Sequence, residues 1–316
     1  MSPLASIEIG TNSIRMFIAE QAASGISFEP LLRKRVITRL GEGFDTKETP
    51  TLKPGPMARS AAAIRSFLAT TREYGISHPY VVATGVVRKA SNRDEFLALI
   101  AQQVGHEVRL ISGQEEAELT EKGVLSALKL EEDSLVIFDL GGGSTEFIRT
   151  NKRESTYLSI ELGAVMLQER YLKTDPPTDD ELWQMSHHID DICNTKLNSL
   201  MDSTGRFRLV GTGGTAVTLA AVVHGISEDD LNEKTVNGLT VGRGDVGHLF
   251  GRLRGMPAFK RLDLVGIGPG REDVILPGSL MVIKLMDYFC KDEIIVSYSD
   301  LLEGILIQHA EGEGNG

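Results

Sequence analysis

One short pattern occurs twice in the sequence, and this repeat restricts the folds open to the chain. Residues 5–21 (ASIEIGTNSIRMFIAEQ) and 134–150 (SLVIFDLGGGSTEFIRT) each show a β-strand pattern, a glycine-containing turn and a second strand, which is typical of a β-hairpin. Both contain a carboxylate, a glycine two positions later and a serine three positions after that. These residues are Glu8, Gly10 and Ser13 in the first copy and Asp139, Gly141 and Ser144 in the second. The repeat predicts two similar domains whose turns face a shared cleft.

The rest of the chain alternates between helix and strand patterns. An amphipathic helix is predicted over 57–75, a strand and loop over 79–90, and a helix from about Ser91 or Asn92 to Gly105. Later segments continue the alternation, with helices predicted over 175–201, 273–289 and 300–311 and strands over 206–214 and 293–297. This alternation indicates an α/β fold. We place the boundary near 125–133, which gives domains 1–128 and 129–316.

Composition excludes several classes of function. The net charge of −11 offers no general attraction for DNA or RNA, although a local site can still hold a small polyanion. Two isolated cysteines fit a reducing cytoplasm, and the seven histidines show no metal-ligand spacing. We see no signal peptide and no apolar run long enough to span a bilayer, so we expect a cytoplasmic protein that does not bind membranes. The oligomeric state, a homodimer included, is left open.

The paired turns suggest phosphate binding. Backbone N–H groups in a glycine-rich turn can converge on phosphate, serine hydroxyls can donate to its oxygens, and Mg²⁺ can bridge phosphate to the acidic residue at the strand end. The alternative is a turn that needs positive φ and binds nothing. A third glycine-rich strand end, GTGGT at 211–215, favours phosphate binding. None of these three glycine-rich segments matches G-x-x-x-x-G-K-[ST] or G-x-G-x-x-G.

A helix that begins after Ser112 has two acidic residues in its first turn. Ser112 and Glu115 form the S-x-x-E pattern of a capping box, which gives Glu115 a structural role. Glu116 has no such role and follows a strand end, where α/β proteins place cleft residues. Acidic residues are nevertheless common in first turns because they complement the helix dipole, and spacing alone favours that explanation.

Together these motifs resemble the exopolyphosphatase / guanosine pentaphosphate phosphohydrolase family, in the superfamily of actin and sugar kinases. The matching segments cover about residues 7–306, and the chain resembles the short form of the family. They are EIGTNSIRMFI, ATGVVRKASNRDEF (83–96), ISGQEEAEL, FDLGGGSTEF, LGAVMLQERYL (162–172), GTGGT and REDVILPGSLMV (271–282). The resemblance implies two ribonuclease-H-like (actin-like ATPase) domains that flank an interdomain cleft.

The resemblance also implies roles for individual residues. Glu116, the second Glu of I-S-G-x-E-E-A, falls on the general base. Phosphate-binding positions are Asn12, Ser13, Arg88, Gly141, Gly142, Gly143, Ser144 and Arg271, and acidic positions linked to Mg²⁺ or water are Asp139, Glu146 and Glu8. Three features depart from the family pattern and suggest weaker or altered substrate binding. They are Glu8 in place of Asp, Met166 in place of Arg, and SYSDLLEG (297–304) in place of S-D-x-G-x-R-E-G.

The expected reaction is hydrolysis of a terminal phosphoanhydride, with Glu116 deprotonating water for in-line attack. Long chains need further cations, which Arg33, Lys34, Arg35 and Arg39 could supply, although a solvated strand face explains that run equally well. Polyphosphate hydrolysis ranks first among the candidate functions. Guanosine pentaphosphate hydrolysis, non-catalytic binding of polyphosphate or an alarmone, and a kinase activity follow in that order.

Overall fold

The computed structural model describes residues 3–22, 28–44, 50–128, 130, 134–151, 154–201 and 207–313. The chain divides into two compact units. The first contains Met1–Ser126 together with Asp300–Gly316, and the second contains Ala127–Ser299. No helix in the described ranges is both long and apolar enough to cross a bilayer.

The first unit is built on a five-stranded sheet with helices on both faces. Its strands are β1 (Leu4–Ile9), β2 (Ser13–Gln21), β3 (Phe28–Ile37), β4 (Tyr80–Ala83) and β5 (Arg109–Leu110), in the order β3-β2-β1-β4-β5. Its helices are α1 (Pro54–Glu73), α2 (Gly85–Lys89), α3 (Arg93–Val104), α4 (Gly113–Ala127) and α12 (Leu301–Glu313). Strands β1, β4 and β5 are parallel, so their carboxyl ends lie at one edge of the sheet.

Alternation along β1 sorts its side chains between the two faces. Ala5, Ile7 and Ile9 are buried in the core that also contains residues of α1 and α3. Ser6 faces the other side, where its hydroxyl donates to the Leu302 carbonyl of α12 at 2.8 Å. A small polar residue at this position therefore allows the backbone of α12 to lie close to the sheet.

Helices α4 and α12 also approach closely, at two glycines. A Cβ atom on Gly123 would lie 1.9 Å from the Asp300 carbonyl oxygen, and one on Gly304 would lie 1.8 Å from the Leu119 carbonyl oxygen. No side chain fits at either position, so the packing of α12 in the first unit depends on both glycines.

The second unit contains a six-stranded sheet. Its strands are β6 (Ser134–Leu140), β7 (Thr145–Asn151), β8 (Ser155–Ile160), β9 (Arg208–Thr212), β10 (Thr240–Gly242) and β11 (Glu293–Val296), in the order β10-β11-β9-β6-β7-β8. Its α-helices are α5 (Ala164–Tyr171), α6 (Asp179–Lys196), α7 (Gly213–His224), α8 (Glu233–Val236), α9 (Arg243–Leu253), α10 (Ala258–Arg261) and α11 (Ile275–Tyr288). The core of this unit is formed by strand residues such as Phe138 and Phe147 and by helix residues such as Met185 and Met281.

The two sheets have equivalent topology. In each sheet the first three strands of the unit form an antiparallel meander. Two later strands then lie on the free side of the first strand and run parallel to it. The spatial orders are β3-β2-β1-β4-β5 and β8-β7-β6-β9-β11. Strand β10 is an antiparallel addition beside β11. The α/β class and the ribonuclease-H-like organisation expected of both units are thus present.

Several elements differ from the sequence predictions. Residues 85–89, expected to be loop, form α2, and the helix expected over 175–201 is shorter, since α6 covers Asp179–Lys196. The division expected at 128/129 differs from the compact units by two residues, and Asp300–Gly316 lies with the first unit instead of the second. That assignment follows from the contacts of α12, which packs on β1 and β2.

Candidate active site

The first glycine turn lies between β1 and β2. The Gly10 amide donates to the Ser13 carbonyl at 3.1 Å, which closes the turn. The Asn12 carbonyl accepts the amides of Thr38 at 3.1 Å and Arg39 at 2.9 Å. Asn12 and Ser13 are buried. The turn is therefore held from outside by residues that follow β3, which fixes its conformation without any ligand.

Glu8, at the end of β1, lies opposite Arg15 on β2. The Arg15 Nε donates to Glu8 Oε2 at 2.6 Å, and its Nη1 donates to Asp300. The Thr84 hydroxyl contacts the other Glu8 oxygen at 3.4 Å. Glu8 therefore lies in a salt bridge, which favours a structural role over the metal-binding role expected from the resemblance.

Segment 297–304, which differs from the family pattern, contributes to this group of ion pairs. Asp300 accepts from Arg15, and Glu303 accepts from Arg33. The Arg33 guanidinium also lies over the ring of Phe17, 4.5 Å from its centroid. Arg33, one of the four basic residues considered for binding long chains, is thus engaged within the first unit.

Arg88 and Glu116 lie at the same sheet edge as the first turn. The Thr84 amide donates to the Ile9 carbonyl at 3.2 Å, which joins the ends of β1 and β4 just before α2. Arg88, on α2, lies with its Nη1 3.0 Å from Glu116 Oε2 and also donates to the Ile111 carbonyl at 2.9 Å. Arg88 and Glu116 belong to two different family motifs, and in the structure they form an ion pair.

Glu116 is positioned by the start of α4. The Ser112 hydroxyl accepts the Glu115 amide at 3.1 Å, as expected for an N-cap, and the Ser112 carbonyl accepts the Glu116 amide at 2.9 Å. The Glu115 side chain pairs with Arg109. Glu116 is 6% exposed, so its carboxylate is held in a protected position, where Arg88 fixes its orientation.

The second glycine turn repeats the geometry of the first. The Gly141 amide donates to the Ser144 carbonyl at 3.1 Å, the same distance as between Gly10 and Ser13. The Ala164 and Val165 amides, at the start of α5, donate to the Gly141 and Gly142 carbonyls at 3.0 Å each. Since α5 binds the carbonyls of Gly141 and Gly142, the turn is held rigidly before any ligand binds.

The close approach of α5 to this turn requires a glycine before the helix. A Cβ atom on Gly163 would lie 2.4 Å from the Gly142 carbonyl carbon. Met166 donates its amide to the same Gly142 carbonyl at 3.2 Å. Met166, which departs from the family pattern, therefore keeps a backbone role in holding the turn.

The flanking acids differ between the two turns. In the second hairpin Asp139 lies opposite Glu146, as Glu8 lies opposite Arg15 in the first. Both Asp139 and Glu146 are buried, and Glu146 accepts a hydrogen bond from the Ser159 hydroxyl at 2.7 Å. The second hairpin thus presents two neighbouring carboxylates where the first has a carboxylate paired with a guanidinium.

A matched pair of strand ends extends the repeat beyond the hairpins. Thr84 follows β4 and Thr212 is the last residue of β9. Both are in extended conformation, and each precedes a glycine with positive φ that begins a helix. These glycines are Gly85 at +27° and Gly213 at +81°. The sequence motifs include both GTGGT and the Ala-Thr-Gly of residues 83–85, but the sequence alone does not show that the two are equivalent.

The start of α7 lies beside Asp139 and Arg271. A Cβ atom on Gly213 would lie 2.3 Å from Asp139 Oδ1, and one on Gly214 would lie 1.9 Å from Arg271 Nη2. The Arg271 guanidinium and the N-terminus of α7 are both positive, so they repel each other. An anion bound between them would contact both and offset that repulsion.

Among the described residues no group of three or more His, Cys, Asp or Glu side chains is arranged to hold a metal ion. Mg²⁺ in phosphoryl-transfer sites commonly uses one or two carboxylates and completes its coordination with water and substrate phosphate. Asp139 and Glu146 fit that smaller donor set. Glu8 fits it less well because Arg15 binds its carboxylate.

Comparison with known proteins places these features in one family. The family model for the Ppx/GppA phosphatase family matches residues 17–313. Exopolyphosphatase 2 of Mycobacterium tuberculosis is 31% identical to the chain, with 98% of this chain and 99% of that protein covered.

Solved structures agree with this match. The Ppx/GppA family member of Aquifex aeolicus superimposes with a TM-score of 0.79 at 28% identity, covering 99% of both chains. An exopolyphosphatase from Cytophaga hutchinsonii superimposes with a TM-score of 0.86 over 98% of both chains. At 24% identity, this second likeness supports the fold alone.

Proposed function

Because the chain belongs to the Ppx/GppA phosphatase family, we propose that it is an exopolyphosphatase, which hydrolyses the terminal phosphoanhydride bond of inorganic polyphosphate and releases orthophosphate. The name of its full-length relative, Exopolyphosphatase 2, supports polyphosphate as the substrate. The observation that carries the proposal is the buried Glu116 carboxylate held by Arg88 beside the first glycine turn.

Glu116 is the general base of the proposed reaction. Its carboxylate accepts a proton from water as the water attacks the terminal phosphorus in line with the leaving oxygen. Arg88 contacts one carboxylate oxygen, Oε2, and so orients the base. The same guanidinium carries further N–H donors, which stabilise negative charge on the transferring phosphoryl group.

Each turn offers neutral hydrogen-bond donors that suit a phosphate group. In our proposal Asn12 and Ser13 from the first turn, and Ser144 with the amides of Gly141, Gly142 and Gly143 from the second, donate to phosphate oxygens. Both turns are closed by the same 3.1 Å hydrogen bond, so the donors need little reorganisation during the reaction. Arg271, beside the start of α7, adds a cationic contact.

Asp139 and Glu146 would hold Mg²⁺, which supplies charge neutralisation on the phosphate oxygens when it is bound. Both carboxylates are buried on paired strands, and Ser159 orients Glu146.

Guanosine pentaphosphate is the competing substrate, and the experiment compares the two directly. Purified protein is supplied with long-chain polyphosphate or with guanosine pentaphosphate in the presence of Mg²⁺, and released orthophosphate is measured. We expect kcat/KM for polyphosphate to exceed that for guanosine pentaphosphate. The reverse ranking would assign the protein to guanosine pentaphosphate hydrolysis, and binding without turnover of either substrate would identify a sensor.

A further inference from the structure

The first unit contains a cavity that the proposed reaction does not use. It has a volume of about 330 Å³ and is bounded by β4, β5, α4 and α12. Tyr80 and Val82 of β4 line it from the sheet, together with Leu119 of α4 and Ile305 of α12. These side chains make one wall apolar, while Arg109 of β5 and the end of α12 supply polar groups.

The Tyr80 end of the cavity lies away from the candidate active site. Tyr80 begins β4, whereas the site residues follow the other end of that strand, beginning at Thr84. Four strand residues span about 13 Å, so the Tyr80 end of the cavity is roughly that far from the glycine turn. A substrate held by the phosphate turns has no need of an apolar wall.

The fold explains why the cavity exists. Strand β5 has only two residues and pairs with Val82 and Ala83, so no strand in the described ranges pairs with Tyr80 on the side away from β1. Helices α4 and α12 contact each other at Gly123 and Gly304, and the cavity lies next to that contact between Leu119 and Ile305.

Size and chemistry define the ligand class. Small-molecule sites typically enclose 300–1,000 Å³ and combine apolar walls with a few polar groups, and this cavity lies near the lower limit. At its rim the His309 ring lies against the Tyr80 ring with centroids 4.2 Å apart, and Gln308 adds an amide. A compact ligand with an apolar body and one polar head matches this lining.

Arg109 specifies the charge of that head. Its side chain is about half exposed, and its Nη2 pairs with Glu115. A guanidinium carries five N–H donors, so this single contact leaves donors available for a second carboxylate. We propose that the cavity binds a small amphiphilic carboxylate, whose apolar body contacts Val82, Leu119 and Ile305 and whose head group pairs with Arg109.

The test uses octanoate as the probe and isothermal titration calorimetry of the full chain as the measurement. We expect saturable binding of one octanoate per chain and at least tenfold weaker binding of 1-octanol, which lacks the charge. Arg109→Gln should weaken octanoate binding about tenfold or more. Glu115→Gln should strengthen it, because a competing carboxylate is removed.

A filling variant locates the bound probe. Gln308→Trp places an indole at the cavity rim from an exposed position and should abolish binding. Arg65→Gln, on α1 outside the cavity, should leave binding unchanged. Melting temperatures of all variants confirm folding. Absence of octanoate binding, equal binding of 1-octanol, or affinity unaffected by both Arg109→Gln and Gln308→Trp would each overturn the proposal. None of these outcomes depends on the proposed phosphatase activity.

Discussion

The Nη1 atom of Arg88 lies 3.0 Å from the Oε2 atom of Glu116, and both side chains are largely buried. Arg88 is on a five-residue helix after β4 and Glu116 is in the first turn of α4, so the contact joins two of the strand ends at one sheet edge. Because the guanidinium fixes the carboxylate, the two side chains should act as one unit.

Replacement of Arg88 by Gln should lower kcat for phosphate release at least tenfold, since the carboxylate loses its charged partner and the phosphoryl group loses a cation. Residues that act as a unit show non-additive losses. The Arg88→Gln/Glu116→Gln double variant should therefore be only slightly slower than Glu116→Gln alone. Rates measured with saturating polyphosphate test this, with Arg65→Gln as the matched arginine control.

If the fold-decrease in kcat of the double variant equalled the product of the two single decreases, Arg88 and Glu116 would contribute independently. The structural contact would then be incidental to catalysis.

The contact between α4 and α12 makes a prediction about stability. Gly123→Ala places a methyl group 1.9 Å from the Asp300 carbonyl oxygen, and Gly304→Ala places one 1.8 Å from the Leu119 carbonyl oxygen. The helices must separate to admit either group, so each variant should lower the free energy of unfolding by about 1–3 kcal/mol or more. Urea denaturation followed by circular dichroism measures the change.

Gly251 is the matched control for this experiment. It lies on the exposed side of α9, and a Cβ atom there meets no atom within 4 Å. Gly251→Ala should raise the free energy of unfolding by about 0.5–1 kcal/mol, because alanine loses less conformational freedom in a helix. Equal effects at positions 123 and 251 would mean that the helices are not in close contact.

The contrast between the two hairpins predicts where a divalent ion binds. Asp139→Asn and Glu146→Gln should each weaken Mn²⁺ binding at least tenfold, as measured by electron paramagnetic resonance in the presence of phosphate. Glu8→Gln should instead lower the melting temperature, since it removes a partner of Arg15, and should leave Mn²⁺ affinity nearly unchanged.

Asp191→Asn, on the exposed side of α6, is the control for loss of one carboxylate. If Glu8→Gln weakened Mn²⁺ binding as much as Asp139→Asn does, the metal assignment would have to include the first hairpin.

The two cysteines should differ in reactivity. Burial raises the pKa of the Cys193 thiol to about 12, with a further contribution from Asp190, whereas Cys290 is exposed. Only the thiolate reacts with disulfide reagents. At pH 8 the native protein should therefore release one equivalent of thionitrobenzoate from Ellman's reagent, and the unfolded protein should release two.

Cys290→Ser should remove the native reaction and leave one equivalent after unfolding. Rapid labelling of Cys193 in native protein would contradict its position in the core of the second unit.

The sequence predicts the repeated hairpins because their signal is local. The acid, glycine and serine residues have the same spacing in both hairpins, and the two pairs of strands have the same register. As a result Glu8 lies opposite Arg15, and Asp139 lies opposite Glu146. The two pairs differ because residue 15 is an arginine and residue 146 is a glutamate. Its consequence for metal binding became clear only when the strand register was known.

Other features depend on contacts between distant residues. Helix α2 has five residues, too few for a helical period to show in the sequence, yet it carries Arg88. Helix α12 follows β11 in the chain but packs on β1 and β2. Its glycine contact with α4 joins residues 123 and 300, which nothing in the local pattern connects.

Among the expected site residues, the structure places Glu116 and Arg88 in contact and groups Asp139, Glu146 and Arg271 around the second turn and the start of α7. Their roles came from the family motifs, since helix-dipole arguments alone favoured a structural explanation for Glu116. Periodicity and propensity report on folding, while catalytic roles depend on which side chains meet after the chain has folded.

The assignment of Glu116 as the general base is tested most directly by orthophosphate release from long-chain polyphosphate with the wild type, Glu116→Gln and Glu118→Gln. Glu118 lies on the same helix and contacts Gln114, so its substitution controls for loss of a carboxylate from α4. We predict that Glu116→Gln lowers kcat by about 10²-fold or more with an unchanged melting temperature, while Glu118→Gln retains wild-type activity. A folded Glu116→Gln variant with wild-type kcat would contradict the account.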